Sequence, residues 1–383
     1  MQRRKTVYCE MAFLAQFEND RNLLSTCFDS DMIEKIQSYI YFQKFVDKSD
    51  LVFNASIDSF ATLKESSMLI RTLWKKNVSG ECNLTFKTDG FPDLKSDNLN
   101  LDDTQLNAIF LTMLDSDKCI EISKRFGVIV INPQMINLIP HVFIDMGHAL
   151  PDPEIKGWDF LSKHNKVFPG INISNAMILT DNYIVNTNKS DDDIERNLLK
   201  LLDIILPVQL DNNVSYELTI FSLAKTEQEK QKCKTFIGKI KKLREKKYHI
   251  SASFILVDSA DFHDRSIITN NIWISCGHGF DVFRRNNTVG QSTKVDVLYP
   301  FMQSFADSAY NAYYNLVDDA NKVFERSHRY NFDYWGDEQF ENRLVTTQKK
   351  KEQILARQQF SRNTEIPGIK ILGSIPLDQL RRR

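Results

Sequence analysis

A histidine and an arginine two positions apart, His263 and Arg265, are the residues most suited to chemistry. Arg265 begins the run Arg265–Thr269, which predicts a strand, and side chains two apart on a strand point to the same face. An imidazole and a guanidinium on one face can present a nucleophile and a phosphate clamp together. The alternative is that both are ordinary strand residues, satisfied by neighbouring acids such as Asp261 or Asp264.

Further polar and glycine residues follow this pair. Asn270 lies seven positions after His263, and the next predicted strand ends with Gly277, His278 and Gly279. Glycines let the backbone approach a bound phosphate. The pattern His-x-Arg-x4-Asn with a glycine-rich strand end resembles the His-x-Lys-x4-Asp signature of the phospholipase D superfamily. It resembles more closely the phospholipase D-like domain found at the C-terminus of MIT-domain proteins and in some bacterial proteins.

This resemblance covers about residues 173–300 and implies roles for single residues. The implied catalytic set is His263, Arg265 and Asn270, and the implied phosphate-binding set is Arg265, Gly277, Gly279 and His278. In active members of the family the histidine attacks phosphorus and the cation binds phosphate oxygens. An asparagine in place of the aspartate stabilises an imidazolium less well, because it carries no charge. Active members use two motifs, so catalysis of this kind would require a homodimer.

Acidic residues in the first third of the chain form a second constellation. Glu10 follows a predicted strand, Asp103 opens a predicted helix, and Asp115 follows the run Ile109–Thr112. Converging carboxylates can bind Mg²⁺ or Mn²⁺ and activate water. The arrangement resembles a PIN-like nuclease domain, which implies that Glu10, Asp103 and Asp115 are metal ligands. The alternative is that the two aspartates belong to a helix cap and a turn.

The elements around these residues predict an α/β protein. An N-terminal α/β domain, PIN-like by resemblance, precedes a phospholipase D-like α/β sandwich and a helical, charged C-terminal extension. Helices over 190–206 and 226–247 are expected to pack on the sheet of the second domain. The predicted divisions are a domain over 1–133, a connector over 134–172, the phospholipase D-like domain over 173–300, a helical extension over 301–345 and a charged tail over 346–383.

Local patterns give three further expectations. Ala176–Leu179 and Tyr183–Val185 predict a hairpin around Asp181 and Asn182. Ile57–Lys76 predicts one helix, and Leu101–Phe126 predicts a helix or a helix–turn–helix.

Charge and composition limit the classes of partner. The chain has 49 basic and 50 acidic residues and a formal net charge of -1, so nucleic acid could be held only by a local patch. One candidate patch is the lysine-rich helix over 226–247, which could contact phosphates or simply form a solvated outer face. No apolar run is long enough to cross a membrane. Six dispersed cysteines favour reduced thiols in the cytoplasm.

These observations predict a protein that acts on phosphodiesters, most plausibly a nuclease dependent on Mg²⁺ or Mn²⁺. The resemblance to bacterial members makes a role in antiviral defence conceivable. The alternative is a non-catalytic module that binds phosphate, lipid or nucleic acid within a larger assembly, with a protein partner.

Overall fold

A computed structural model describes most of the chain up to Val345, which forms one compact unit. The described residues are 4–26, 30–65, 67–138, 143–146, 157–186, 188–256, 265–277, 279–285, 289, 294–299, 315–322, 334–336 and 342–345. The predicted tail over 346–383 and most of the predicted extension over 301–345 lie outside these ranges.

The first sheet consists of five parallel strands in the order β3-β2-β1-β4-β5. Apolar, β-branched and aromatic residues make up these short strands, as expected for a parallel sheet covered on both faces. The strands are β1 Thr6–Cys9, β2 Asp50–Phe53, β3 Leu84–Phe86, β4 Ile109–Leu111 and β5 Ile129–Ile131.

Helices connect these strands and cover the sheet. Their caps follow the sequence, since Ser56, Ser67 and Asp115 each accept a hydrogen bond from a backbone N–H in the first turn. The helices are α1 Met11–Leu24, α2 Ser30–Asp47, α3 Ile57–Leu63, α4 Met68–Val78 and α5 Ser116–Phe126. Short 3-10 helices lie at Gln105–Asn107 and Pro133–Leu138.

The second sheet has eight strands in the order β13-β9-β8-β7-β10-β11-β12-β6. β7, β8 and β9 are parallel, and the other neighbouring pairs are antiparallel. The strands are β6 Phe143–Met146, β7 Ala176–Thr180, β8 Tyr216–Ser222, β9 Ile250–Leu256, β10 Ser266–Thr269, β11 Trp273–Cys276, β12 Lys294–Leu298 and β13 Tyr334–Gly336.

Helical crossovers join the parallel strands of this sheet. The first is α6 Asp191–Ile194, a π-helical turn over Glu195–Leu199 and α7 Lys200–Ile205, and the second is α8 Glu227–Lys242. Both crossovers begin with a capping box, formed by Ser190 with Asp193 and by Thr226 with Glu229. A 3-10 helix over Gly157–Asn165 precedes β7, and residues 315–322 are helical. The predicted helices over 190–206 and 226–247 therefore exist, although the second ends at Lys242.

Buried amides join the two sheets. Asn175 Nδ2 donates to the carbonyl oxygens of Leu106 and Phe126, at 2.8 and 2.9 Å. Gly127, which ends α5 with a φ of +64°, lies so close to Ser174 that an added Cβ would be 2.2 Å from the Ser174 carbonyl oxygen. Tight backbone contact and a continuous apolar core thus unite the first sheet with the second.

The structure differs from the sequence prediction at several elements. Tyr183–Val185 is a turn rather than the second strand of a hairpin, because β7 pairs with β8 and β10 instead. The predicted helix over Leu101–Phe126 contains β4, and the predicted helix over Ile57–Lys76 is broken between α3 and α4. Tertiary pairing with buried neighbours overrides local propensity in these segments.

Candidate functional site

One edge of the second sheet collects the ends of several strands. The parallel strands β7 and β8 end there, β10 begins there, and β11 ends there. Ser266 pairs with Thr180 in the antiparallel register, so the residues just beyond them, Arg265 and Asp181, lie opposite each other. In open α/β sheets, ligands commonly bind outside the carboxyl ends of the parallel strands, at the point where the strand order reverses.

The guanidinium of Arg265 is the unusual group at this edge. Its Nε is buried without a hydrogen-bond partner, and within the described part of the chain the guanidinium forms no hydrogen bond or ion pair. The central carbon of the guanidinium, Cζ, lies 5.5 Å from the centre of the Tyr183 ring, a distance at which the ring attracts the cation. A buried donor without a partner is costly, so Arg265 has unused capacity to bind an anion.

The carboxylate of Asp181 lies beside this arginine. Asp181 is only 2% exposed, and its two oxygens accept hydrogen bonds from the backbone N–H groups of Tyr183 and Phe280, each at 2.9 Å. These two bonds satisfy much of the demand of a buried carboxylate. Sequence reasoning missed Asp181 because it placed this residue in a hairpin turn. The signal that could have revealed it is its position directly after a fully buried strand.

Gly279 provides space between these two side chains. It has a φ of +92°, and an added Cβ would lie 2.9 Å from Asp181 Oδ2 and 3.5 Å from Arg265 Cγ. A glycine is therefore required both by the backbone conformation and by the close approach.

The backbone N–H groups of the two predicted phosphate-binding glycines have partners within the protein. The Gly277 N–H donates to the carbonyl oxygen of Lys294 at 3.3 Å, and the Gly279 N–H donates to that of Cys276 at 3.2 Å. The approach of a bound phosphate to the backbone at Gly277 and Gly279 stays a prediction.

The structure also separates Asn270 from the predicted catalytic set. Asn270 follows β10 at the end opposite Arg265, and five residues of strand span about 16 Å. Its side chain is fully buried, accepts from the Asn175 N–H at 3.0 Å and donates to the Gly127 carbonyl oxygen at 2.8 Å. Asn270 therefore joins the two sheets, which is a structural role, and does not lie with Arg265.

The two histidines predicted for this site, His263 and His278, lie outside the described residues, so their catalytic and phosphate-binding roles stay predictions.

Glu10 lies where the strand order of the first sheet reverses, at the carboxyl end of β1. Its carboxylate accepts hydrogen bonds from Thr112 Oγ1 and from the Met113 N–H, both at 2.8 Å. These contacts fasten the end of β1 to the end of β4. Glu10 thus holds two neighbouring strand ends together.

The other two predicted metal ligands are exposed. Asp115 caps α5 by accepting from the Lys118 N–H at 2.8 Å, and it lies near enough to Glu10 that both carboxylates act on Cys119. Burial, followed by these two charges, raises the pKa of the Cys119 thiol to about 12. Asp103 contributes no hydrogen bond in the described part of the chain.

The three predicted metal ligands are not gathered into one cluster. Among the residues that the structure describes, no three His, Cys, Asp or Glu side chains are grouped closely enough to hold a metal ion. The prediction that Mg²⁺ or Mn²⁺ binds Glu10, Asp103 and Asp115 stays a prediction.

Comparison with known proteins identifies the second sheet. Residues 166–297 match the family described as the phospholipase D-like domain at the C-terminus of MIT. This match contains β7 to β11, all but the last residue of β12, and the edge with Arg265. No curated protein matches the chain.

One similar solved structure is that of TrmBL2, an archaeal chromatin protein that shows a novel mode of DNA binding. The match has 11% identity and a TM-score of 0.21, and covers 48% of this chain and 54% of that chain. This chain thus spans about half of that protein, and such a low TM-score does not establish a common fold.

Proposed function

We propose that the phospholipase D-like part of this protein recognises a phosphodiester, and that Arg265 is the group that binds its phosphate. The observation that carries this proposal is the half-buried guanidinium with no partner in the described residues. A guanidinium is a planar fork of donors that matches two phosphate oxygens. The Tyr183 ring beside it helps to hold it in place.

Recognition is favoured over hydrolysis by the position of Asn270. In active members of the phospholipase D superfamily, which this part of the chain resembles, the corresponding aspartate supports the charge balance of the site. Here that position holds an uncharged side chain, and it lies among amides that join the sheets. A carboxylate that does lie at the Arg265 end of the strands is that of Asp181, whose oxygens accept two backbone hydrogen bonds.

The experiment is a binding titration of a fluorescently labelled single-stranded oligonucleotide at low ionic strength. Replacing Arg265 by alanine removes a charge-assisted contact worth about 1.5–3 kcal/mol, which corresponds to roughly 10- to 150-fold weaker binding. Arg265→Lys keeps the charge but not the forked set of donors, so its affinity should lie between that of the native protein and that of Arg265→Ala. The matched control is Arg71→Ala, an exposed arginine on α4. Equal affinity of Arg265→Ala and Arg71→Ala would refute the proposal.

Cleavage of the bound phosphodiester is a second candidate function. The observation that favours it is the position of Glu10 at the strand ends where the order of the first sheet reverses. A chelator separates the candidates: EDTA stops a nuclease that depends on Mg²⁺ or Mn²⁺, whereas binding through Arg265 continues. Cleavage that persists in Glu10→Gln would remove this residue from the chemistry.

A further inference from the structure

The lysine-rich helix α8 contains cations of two kinds. Some are already engaged: Lys230 pairs with Glu227 at 3.1 Å, Lys239 pairs with Glu195, and Lys232 donates to the Asn186 carbonyl oxygen at 3.2 Å. These contacts lie within α8 or fasten it to the preceding crossover. Much of the positive charge along this helix is therefore used in holding the helix in place.

The cations at the end of the helix are different. Lys242, Lys246 and Lys247 form no ion pair or hydrogen bond through their side chains within the described part of the chain, and all three are exposed. They line a groove of about 550 Å³ with Glu245 as its single carboxylate. The groove is also lined by Gly238, Lys241, Tyr248, His249 and Ile250.

The charge of this groove contrasts with that of the chain. Four lysines and one glutamate give the lining a formal charge of +3, whereas the chain as a whole carries -1. The end of a helix attracts cations by its dipole, but this attraction is worth only about 0.3–1 kcal/mol and is limited to the last turn. Lys246 and Lys247 lie beyond that turn, because α8 ends at Lys242. Mutual repulsion of these charges is relieved when a polyanion binds.

We infer that this groove is a second binding surface, and that its ligand is the phosphate backbone of a nucleic acid. It lies at the start of β9, whereas Arg265 lies at the edge where β7 and β8 end. β9 runs from one edge to the other with seven residues, which separates the two edges by about 20 Å. The groove is therefore a surface of its own, and its assignment does not depend on Arg265.

The surroundings of the groove select the class of ligand. Among the described residues, no large apolar side chain between 227 and 250 is exposed. A protein partner would need an apolar centre to the interface, and a membrane-binding surface commonly inserts apolar side chains beside its basic residues. A nucleic-acid backbone is held by charge alone, without reading of the bases. Lysines around a concave, polar groove fit that ligand best.

The test compares the salt dependence of oligonucleotide binding in two triple variants of the full chain. Lys242→Gln, Lys246→Gln and Lys247→Gln together remove the unpaired cations of the groove. The control removes three exposed lysines of the first sheet and its helices, Lys35, Lys75 and Lys95, and so changes the net charge equally. The plot of log affinity against log salt should become shallower by about two to three units in the groove variant, since each phosphate contact contributes about 0.7–0.9. The control should keep the slope of the native protein.

Two outcomes would overturn this inference. One is an equal slope in the groove variant and the control. The other is a groove variant that binds the oligonucleotide as the native protein does but no longer binds vesicles that contain phosphatidylserine. That result would assign the groove to a membrane surface. Circular dichroism spectra that match the native spectrum verify that each variant is folded. Arg265→Ala is measured separately. It removes a single phosphate contact, so its slope should become shallower by at most about 0.7–0.9, and the groove substitutions should reduce the slope equally in the native and the Arg265→Ala background.

Discussion

At the scale of single residues, Gly279 determines the space beside Arg265. A Cβ at this position would lie 2.9 Å from Asp181 Oδ2, and the φ of +92° is unfavourable for other residues. We predict that Gly279→Ala lowers the free energy of unfolding by about 1–3 kcal/mol and weakens phosphodiester binding. Urea denaturation and the oligonucleotide titration measure the two effects.

The matched control for this change is Gly238→Ala in α8. That glycine has nothing within 4 Å of an added Cβ, and alanine is favoured over glycine in a helix by about 1 kcal/mol. Gly238→Ala should therefore raise the free energy of unfolding. A Gly279→Ala protein as stable as the native one would show that the close packing around Asp181 is absent.

Lys5 gives a prediction about pH. It is 5% exposed, and its ammonium donates to Asn107 Oδ1 and to the Asn270 carbonyl oxygen. Burial lowers the pKa of Lys5 to about 7, while the unfolded chain keeps an ordinary lysine pKa near 10.4. Between these values the unfolded state binds more protons, so stability rises with pH through this window and is lowest below it.

The measurement is the free energy of unfolding of the native protein and of Lys5→Met at about pH 6 and about pH 10. The native protein should gain on the order of 4 kcal/mol relative to the variant across this range. Parallel pH profiles of the two proteins would contradict a neutral, buried Lys5.

At the scale of elements, the loop after β10 connects the two sheets. Asn270 hydrogen-bonds with Asn175 and Gly127, and Asn271 Nδ2 donates to the Ile173 carbonyl oxygen at 2.7 Å. We predict that Asn270→Ala destabilises the protein by about 1–3 kcal/mol, because it leaves buried backbone groups without partners. Phosphodiester affinity should be unchanged once the variant is folded. A loss of affinity with native stability would restore Asn270 to the binding site.

The elements differ in how well the sequence predicts them. Strong local signals predicted β1, α8 and the strand pair of β10 and β11 to within a few residues. The sequence did not reveal β2 or β3, since each has only three or four residues and depends on its neighbours in the sheet. The hairpin prediction was wrong for the same reason: the partners of β7 lie about 40 and 90 residues away along the chain.

Part of the candidate site could be proposed from the sequence. The spacing of His263 and Arg265 indicated a phosphate clamp, which stays a prediction; Arg265 lies at a sheet edge, and its Nε has no hydrogen-bond partner among the described residues. The spacing of residues along the chain could not reveal Asp181, because Asp181 comes opposite Arg265 only when β7 pairs with β10. It also could not show that Asn270 points into the junction, because five residues along a strand reach the opposite edge of the sheet.

At the scale of the whole molecule, the described part of the chain has a single apolar core. Buried residues of both sheets belong to one contiguous cluster, and Gly127 packs against the backbone of Ser174. We therefore predict one cooperative thermal transition for the part up to Val345. Calorimetry should give equal calorimetric and van't Hoff enthalpies. Two separate transitions would mean that the sheets unfold independently.

The central claim is that Arg265 binds the phosphate of a phosphodiester. The most direct measurement is a crystal structure of the protein with tungstate, an oxyanion of phosphate-like shape that is located by its anomalous scattering. We expect tungstate oxygens about 2.7–3.2 Å from the Arg265 guanidinium, and no bound tungstate at this edge in crystals of Arg265→Ala. An Arg265 that is paired with a carboxylate, with tungstate bound only elsewhere, would show that Arg265 is not the phosphate-binding group.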